Sequence, residues 1–571
     1  MKLNNKKTAI FLTVLIVLSL TISTFFMISK QGFHEDELLT YNLANSSKQL
    51  DVNGGWNTPE DFNEYLTVSP EHRFDYGLVY ENQIIDASHP PFYYALVHTV
   101  CSIFPQTFSK YLAFSINIFA MTGILIMLFK IAKIISKNNL YSLIATATFA
   151  LSIACFTMTI YLRMYSTLTF LVLSMIYMNL KIYEQKNTAK ARDFIILGVI
   201  ALFGTLTQYY FILFEGLTGL IMLVFKIKEK NFKDLRNYII AVGIGSVLAL
   251  CIYPFIITNV LGGNRGLGSM EISVDLITIV TYVIYKICTY FQVLAKDVFI
   301  NQVWLFVALT IIALAFAVYM RFVKKEKLSR TAFMAFIPSL IYFIAISLLS
   351  PFNSDRYVMA SLPLIVTLFV FIFLKIARLT KNKKLFYTVP VCIAIICAVG
   401  LISVKPYYTY GKKPELYTPQ TGKCVFVGTA MLEWNKTIDK LALYDEVMIV
   451  QTDEFSSTLD EELEAFATDR GIITNGKITE FMDGYMNNGG EKEKTDSMSA
   501  LKTDEKLNNE EYITVYISRL ADEKSVIEYF TANTKFKKHD IISSDYAFNE
   551  FYNWYDYFVE TESYCNVYRF Y

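Results

Sequence analysis

Charge is scarce in this chain: Asp, Glu, Lys and Arg make up 18% of its 571 residues, against roughly 25% in an ordinary soluble domain. Apolar residues reach 54%, so a disordered chain is excluded and a purely soluble one is disfavoured. No dense basic stripe lies outside the apolar stretches, and nucleic acid is not an expected partner. The eight cysteines show no CxxC or Cys/His ligand spacing, which argues against a structural zinc site. The net charge of +1 hides a split near residue 405, with 35 Lys+Arg and 21 Asp+Glu before it and 17 and 30 after it. The front reads as a basic membrane body (1–405) and the back as an acidic soluble domain (406–571).

A bilayer core about 30 Å thick needs about 20 apolar residues in helix. Eleven stretches qualify: about 9–29, 108–130, 140–161, 164–183, 193–209, 211–228, 237–260, 302–321, 331–350, 357–375 and 385–404. The first follows Lys2, Lys6 and Lys7, but its apolar run is long for a signal peptide and no A-x-A site follows before His34, so it reads as an uncleaved anchor. Basic clusters at 130–137, 181–192, 226–236, 321–330 and 375–384 fall at every second junction. If these face the cytoplasm, the N-terminus is inside, and the loop 30–90 and the C-terminal domain are outside. Stretches 91–105 and 276–295 are read as interfacial or partly inserted helices; the alternative is thirteen spans.

The polar residues near the outer ends of the spans stand out. Phe33-His34-Glu35-Asp36-Glu37 puts three adjacent carboxylates at a membrane exit, where acidic groups are costly unless used or paired. One could accept a proton from a hydroxyl nucleophile; the plainer reading is an acidic first helical turn. Ser88-His89-Pro90-Pro91-Phe92-Tyr93-Tyr94 places His89 just before a helix. Arg163 and Arg356 interrupt apolar surroundings, and an arginine there needs an anion, for which a phosphate suits its forked donors. Snorkelling of Arg163, and a local pair between Arg356 and Asp355, are the plainer readings. All of these residues, with Gln208, Tyr209 and Tyr210, fall on one face in this topology. A base with two cations at a lipid boundary fits chemistry on a sugar held by a lipid phosphate.

In this order, Asp36-Glu37, His89-Pro90-Pro91-Phe92-Tyr93-Tyr94, Arg163-Met164-Tyr165 and Arg356-Tyr357 resemble the GT-C superfamily of membrane glycosyltransferases, within it the protein O-mannosyltransferase and aminoarabinose transferase group, over about residues 8–405. The resemblance implies a polyprenyl-phosphate-sugar donor and an acceptor reached from the outer face. It implies Asp36 as base and His89 as a positioning residue; Glu37 and His89 are read as orienting the acceptor or the base. Arg163 and Arg356 would hold the donor phosphate, and Tyr93, Tyr94, Tyr165, Gln208, Tyr209 and Tyr357 would position substrate. Many bacterial relatives carry a His-Tyr pair where this chain has Gln208-Tyr209, and glutamine cannot carry a charge. No metal ligand set is assigned. A divalent cation could sit at the outer carboxylates, but a monophosphate donor requires none.

Residues 406–571 alternate strand-like and helix-like runs. Strands are expected at Cys424–Gly428, Glu446–Thr452, Tyr512–Ser518 and Tyr564–Tyr571, and helices at Trp434–Tyr444, Thr458–Arg470 and Asp522–Ala532. A mobile loop is expected at 488–510. If the first and last strands are neighbours, Cys424 and Cys565 come within disulfide reach; the plainer reading is two separate buried strand thiols. The fold class is thus a polytopic α-helical membrane protein of 11 to 13 spans with a C-terminal α/β domain. The expected function is transfer of one sugar to an acceptor hydroxyl, with inversion. The alternatives are a lipid-linked-sugar transporter, whose charges belong at the midplane, and an inactive assembly subunit.

Overall fold

The computed structural model describes residues 4–30, 32–262, 276–299, 303–326, 328–350, 354–379, 388–390, 392–393, 395–396, 399–400, 422–429, 433–454, 497–518, 521–547 and 562–571. A 25-residue apolar helix, α1 (Asn5–Ser29), opens the chain. Four helices fold the first loop: α2 (Glu35–Asn45), α3 (Pro59–Leu66), α4 (Tyr76–Asp86) and α5 (Phe92–Ile103). The bundle continues with α6 (Lys110–Ser136), α7 (Asn139–Ala150), α8 (Ile153–Ile160), α9 (Tyr165–Gln185), α10 (Ala191–Thr205), α11 (Tyr210–Lys228), α12 (Phe232–Ile252), α13 (Ile256–Gly262), α14 (Leu276–Phe299), α15 (Val303–Val318), α16 (Arg330–Leu349) and α17 (Leu362–Leu379).

The chain is a multi-pass membrane protein. Among the described residues, eight helices are long and apolar enough to cross a membrane, or nine if the pair α7–α8, bent by 57°, is one span. Two of the eleven expected stretches differ. Helix α10 has 15 residues, about 22 Å at 1.5 Å per residue, and most of 385–404 lies outside the described residues. The α7–α8 bend has a local cause. Ser152 turns its hydroxyl onto the Phe149 carbonyl (2.7 Å) and accepts from the Cys155 amide (3.3 Å), closing one helix and capping the next. Helices α10 and α12 cross closely because a Cβ on Gly245 would lie 2.3 Å from the Gly198 carbonyl oxygen.

Ion pairs tie helix ends together at one end of the bundle: Lys137 with Glu184, Lys181 with Asp193, Lys226 with Asp234, Arg330 with Glu229 and Lys375 with Glu326. The basic clusters therefore share one face. Helix α14, read from sequence as partly inserted, bonds from its middle to the far end of α16: Lys286 donates to the Ser350 carbonyl at 3.0 Å, and Tyr290 meets the Ser350 hydroxyl at 2.6 Å. Its midpoint thus lies on the face opposite the ion pairs.

That opposite face carries a six-stranded sheet, with β1 (Trp56–Asn57), β2 (Lys423–Gly428), β3 (Glu446–Gln451), β4 (Ile513–Ser518), β5 (His539–Ala547) and β6 (Glu562–Phe570) in the order β1-β3-β2-β4-β6-β5. Strands β3, β2 and β4 are parallel and the other pairings antiparallel. Both faces of β2 are covered, as its unbroken apolar run requires. Val425 and Val427 pack with Phe530 of the helix Glu523–Asn533, while Cys424 and Phe426 join the core of the membrane body. Strand β1 belongs to the first loop, so the sheet is not built by the C-terminal residues alone.

Several expectations for residues 406–571 change. Cys424 and Cys565 are both buried. Strand β4 separates β2 from β6, which puts the two cysteine strands about 9–10 Å apart, beyond the roughly 7 Å reach of a disulfide. The expected helix Trp434–Tyr444 is a 3-10 turn, Glu433–Thr437, followed by one helical turn, Ile438–Leu441. Residues 497–510, expected to be mobile, form the short helices Ala500–Thr503 and Glu505–Asn509, anchored by buried Leu501 and Leu507. Thr458–Arg470 and 488–496 lie outside the described residues.

Candidate active site

Helix α2 begins with a capping box: the Asp36 amide donates to His34 Nδ1 (3.0 Å), and the His34 amide donates to the Glu37 carboxylate (2.8 Å). The box sends the two carboxylates to different places. Glu37 turns inward and is wholly buried. Its oxygens accept from Lys30 Nζ at 2.8 and 2.9 Å and from the Leu162 amide at 2.8 Å. Burial pulls the Lys30 ammonium below its ordinary range even though Glu37 opposes that shift. Glu37 therefore fixes the end of α1 and the turn after α8 onto α2.

Asp36 points the other way and keeps 13% of its side chain exposed. Arg356 Nη1 donates to its Oδ2, the Tyr161 hydroxyl donates to the same oxygen at 3.2 Å, and Arg163 Nη2 lies 3.9 Å from Oδ1. Arg356 reaches Asp36 across 320 positions of sequence, so it is not limited to the local pair with Asp355. Its Nη2 donates to the Tyr357 hydroxyl (3.3 Å), and its guanidinium lies 5.1 Å from the centre of that ring.

Arg163 is a second hub. Its Nη1 donates to the Thr40 hydroxyl (2.8 Å), the Tyr94 hydroxyl (3.1 Å) and the Asp36 carbonyl (3.1 Å). Its Nη2 lies 3.4 Å from His89 Nε2. A guanidinium only donates, so this contact makes Nε2 the acceptor and leaves the proton on Nδ1, which faces the Tyr94 hydroxyl at 3.4 Å and Asp86 at 3.7 Å. The Arg163 side chain is 3% exposed, and its Nε has no hydrogen-bond partner among the described residues. Snorkelling is thus not what Arg163 does.

Of the residues singled out in the sequence, Asp36, His89, Tyr94, Arg163, Arg356 and Tyr357 meet in one network. Tyr165 joins by stacking on Tyr161, with ring centroids 5.8 Å apart at 8°. Others stand apart. Tyr93 is fully buried, with no hydroxyl partner among the described residues. Gln208 accepts from the Tyr209 amide (2.7 Å), and the Tyr209 hydroxyl accepts from Asn259 (2.9 Å), on the α13 side.

Sequence reading missed Tyr161, Thr40, Lys30, Asp86 and Asn117. The Asn117 amide donates to the carbonyls of Thr159 (3.1 Å) and Tyr161 (2.7 Å), pinning the turn that presents Arg163. For Asn117 the available signal was an amide side chain within the apolar run of α6.

Among the described residues, the Asp36 carboxylate faces two guanidiniums, while Glu37 is matched by Lys30. Such a cluster suits an anion. It suits a divalent cation poorly, because the Asp36 carboxylate is already flanked by two positive groups. Among the described residues no three His, Cys, Asp or Glu side chains gather as a metal site.

No family model matches the chain, and no curated protein matches it. Among solved structures it is similar to ArnT from Cupriavidus metallidurans bound to undecaprenyl phosphate, at 11% identity and a TM-score of 0.47, covering 97% of each chain. It is also similar to the oligosaccharyltransferase AglB from Archaeoglobus fulgidus, in complex with an inhibitory peptide and a dolichol-phosphate, at 12% identity and a TM-score of 0.44, covering 88% of this chain and 69% of that one. The Pmt1-Pmt2 O-mannosyltransferase complex of S. cerevisiae, bound to its sugar donor, matches at 13% identity and a TM-score of 0.28, over 45% of this chain and 35% of that one.

Proposed function

We propose that this chain is a GT-C-type glycosyltransferase that moves one sugar from a polyprenyl phosphate to an acceptor hydroxyl on the outer face of the membrane. The observation that carries the reading is the partly exposed Asp36 carboxylate held between Arg356 and Arg163. A base and two phosphate-binding groups within reach of one another are what such a displacement needs.

In this reading the donor phosphate takes guanidinium bonds from Arg356 and Arg163. Asp36 removes the acceptor proton as the acceptor oxygen bonds to the anomeric carbon. The bond from that carbon to the phosphate oxygen breaks, its electron pair leaves with the phosphate, and the anomeric configuration inverts. The arginines stabilise the charge that builds on the leaving group. Arg163 draws on His89, Tyr94 and Thr40 for its orientation, while Glu37 acts from beneath the site by holding α2 against the Tyr161–Arg163 turn.

Arg356→Ala should weaken binding of undecaprenyl phosphate to the purified chain by about 10–150-fold, the worth of a charge-assisted contact. Arg356→Lys should recover only part of it. Unchanged affinity in the alanine variant would remove the phosphate site. The transfer itself is tested by mass spectrometry of surface glycans and glycoproteins in cells lacking the chain. One sugar should be lost, then restored by the parent sequence and not by Asp36→Asn.

A further inference from the structure

Tyr161 is buried between the two groups on which the proposed chemistry turns. Its hydroxyl donates to Asp36 Oδ2 at 3.2 Å and accepts from Arg356 Nη1 at 3.2 Å. Its ring is clamped by Tyr165, stacked at 5.8 Å, and by the edge-on imidazole of His34 at 5.7 Å. Its carbonyl is held by Asn117. Ring, backbone and hydroxyl are therefore each fixed by a different element, α9, α2 and α6 among them. That is more constraint than a space-filling aromatic requires.

The contacts of Asp36 give this hydroxyl a task. The Arg356 nitrogen that reaches Asp36 is also the one that reaches Tyr161, and a donor phosphate would compete with Asp36 for it. When Arg356 turns to the phosphate, the carboxylate loses its strongest partner at the moment it must accept a proton. The Tyr161 phenol, which also donates to Oδ2, stays in place beside it. We infer that Tyr161 is a positioning residue for the transfer reaction, holding the Asp36 carboxylate in place and ionised while Arg356 is engaged by the donor phosphate. The inference rests on the glycosyltransferase reading.

The pH profile of transfer reports it. Among the described residues, the charged and titratable groups around the pair are His34 (3.9 Å from Asp36), Arg163, Arg356, Tyr165, Tyr357, Tyr94 and His89 with Asp86 behind it; Glu37 and Lys30 are matched beneath, and Glu35 and Asp355 adjoin Asp36 and Arg356 in the chain. His34 and His89 are present in parent and variant alike, and Tyr161→Phe keeps the ring that His34 packs against. A hydroxyl donating to a carboxylate favours its charged form. Its removal therefore makes Asp36 easier to protonate, and the acid limb of the rate profile moves to higher pH.

The test uses the full chain in right-side-out membranes, with the transferred sugar measured by mass spectrometry as external pH is varied. In parallel, undecaprenyl phosphate binding and the thermal midpoint are measured on purified protein. Tyr161→Phe keeps both ring contacts. It should lower transfer roughly 10- to 100-fold, move the acid limb to higher pH and leave undecaprenyl phosphate affinity within about threefold of the parent. Replacement by 3-fluorotyrosine, a stronger donor of nearly the same shape, should move the limb the opposite way and serves even if the phenylalanine variant does not fold. An unmoved acid limb in both variants, with a lowered thermal midpoint, would make Tyr161 a packing residue and overturn the inference. A large loss of undecaprenyl phosphate affinity in Tyr161→Phe would overturn it too, by assigning the hydroxyl to the phosphate site. Failure of the glycosyltransferase reading looks different: Asp36→Asn would then retain transfer, whatever Tyr161 does.

Discussion

Asp36 and Glu37 are adjacent in sequence and opposite in circumstance. One carboxylate accepts from Arg356 and Tyr161, with Arg163 3.9 Å away and part of its surface open; the other is sealed against a lysine and a backbone amide. Their substitutions should therefore fail in different ways. Asp36→Asn should stop transfer, by about 10²–10⁴-fold for a lost base, while the protein still folds and reaches the membrane. Glu37→Gln should leave the Lys30 ammonium buried and unmatched, a loss of about 3–5 kcal/mol, seen as a lower thermal midpoint in nanodiscs. A stable but inactive Glu37→Gln would move the base by one residue. The sequence shows two carboxylates side by side. It cannot show which is sealed, because that depends on Lys30 and Leu162 arriving from two other segments.

At the scale of elements, close approaches and caps make the predictions. A methyl group on Gly245 would strike the Gly198 backbone. Gly245→Ala should push α10 and α12 apart and destabilise by about 1–3 kcal/mol, measured by thermal unfolding in nanodiscs. Helix α3 offers a pH-dependent contact. Burial pushes the Asp61 carboxyl up, but hydrogen bonds from Lys48 and from the Thr58 amide and hydroxyl outweigh it and hold the carboxyl below its ordinary value. A lowered folded value means the contact contributes above the unfolded carboxylate range, about 3.9, and is lost as pH falls through the folded value. Amide exchange in α3, corrected for its intrinsic rate, should therefore rise as pH falls below about 4. Most spans were legible as apolar stretches of bilayer length. The α7–α8 bend was not, since 140–161 reads as one run and the Ser152 cap that breaks it is a single hydroxyl.

For the whole molecule, the sheet is the joint between the first loop and the C-terminal residues. Strand β1 pairs with β3, the Trp56 indole donates to Asp504 at 2.9 Å, and Asn435 donates to the Glu35 carbonyl at 3.4 Å, one residue from Asp36. The C-terminal domain thus bears directly on α2. Trp56→Ala should loosen this joint, read as faster amide exchange along β3 and at the start of α2. Topology has its own test: reporters fused after residues 136, 188, 232, 327 and 381 should lie in the cytoplasm, and one after 420 outside. A cytoplasmic signal at 420 would invert the outer-face reading.

The composition and the spacing of apolar runs were enough for the membrane body, the alternation of basic clusters and most strands of the C-terminal domain, because bilayer thickness and strand periodicity act within a single segment. Asp36, His89, Arg163 and Arg356 also stood out singly, since a polar group among apolar neighbours needs a partner wherever the chain goes. Which partner it finds was decided only by tertiary structure. Tyr161 looked like one more aromatic in an apolar run until the α8–α9 turn set it between Asp36 and Arg356. Cys424 and Cys565 looked able to pair until β4 was inserted between their strands. Strand order and the meeting of distant turns depend on contacts between remote segments, and no local pattern of residues encodes the distance between them.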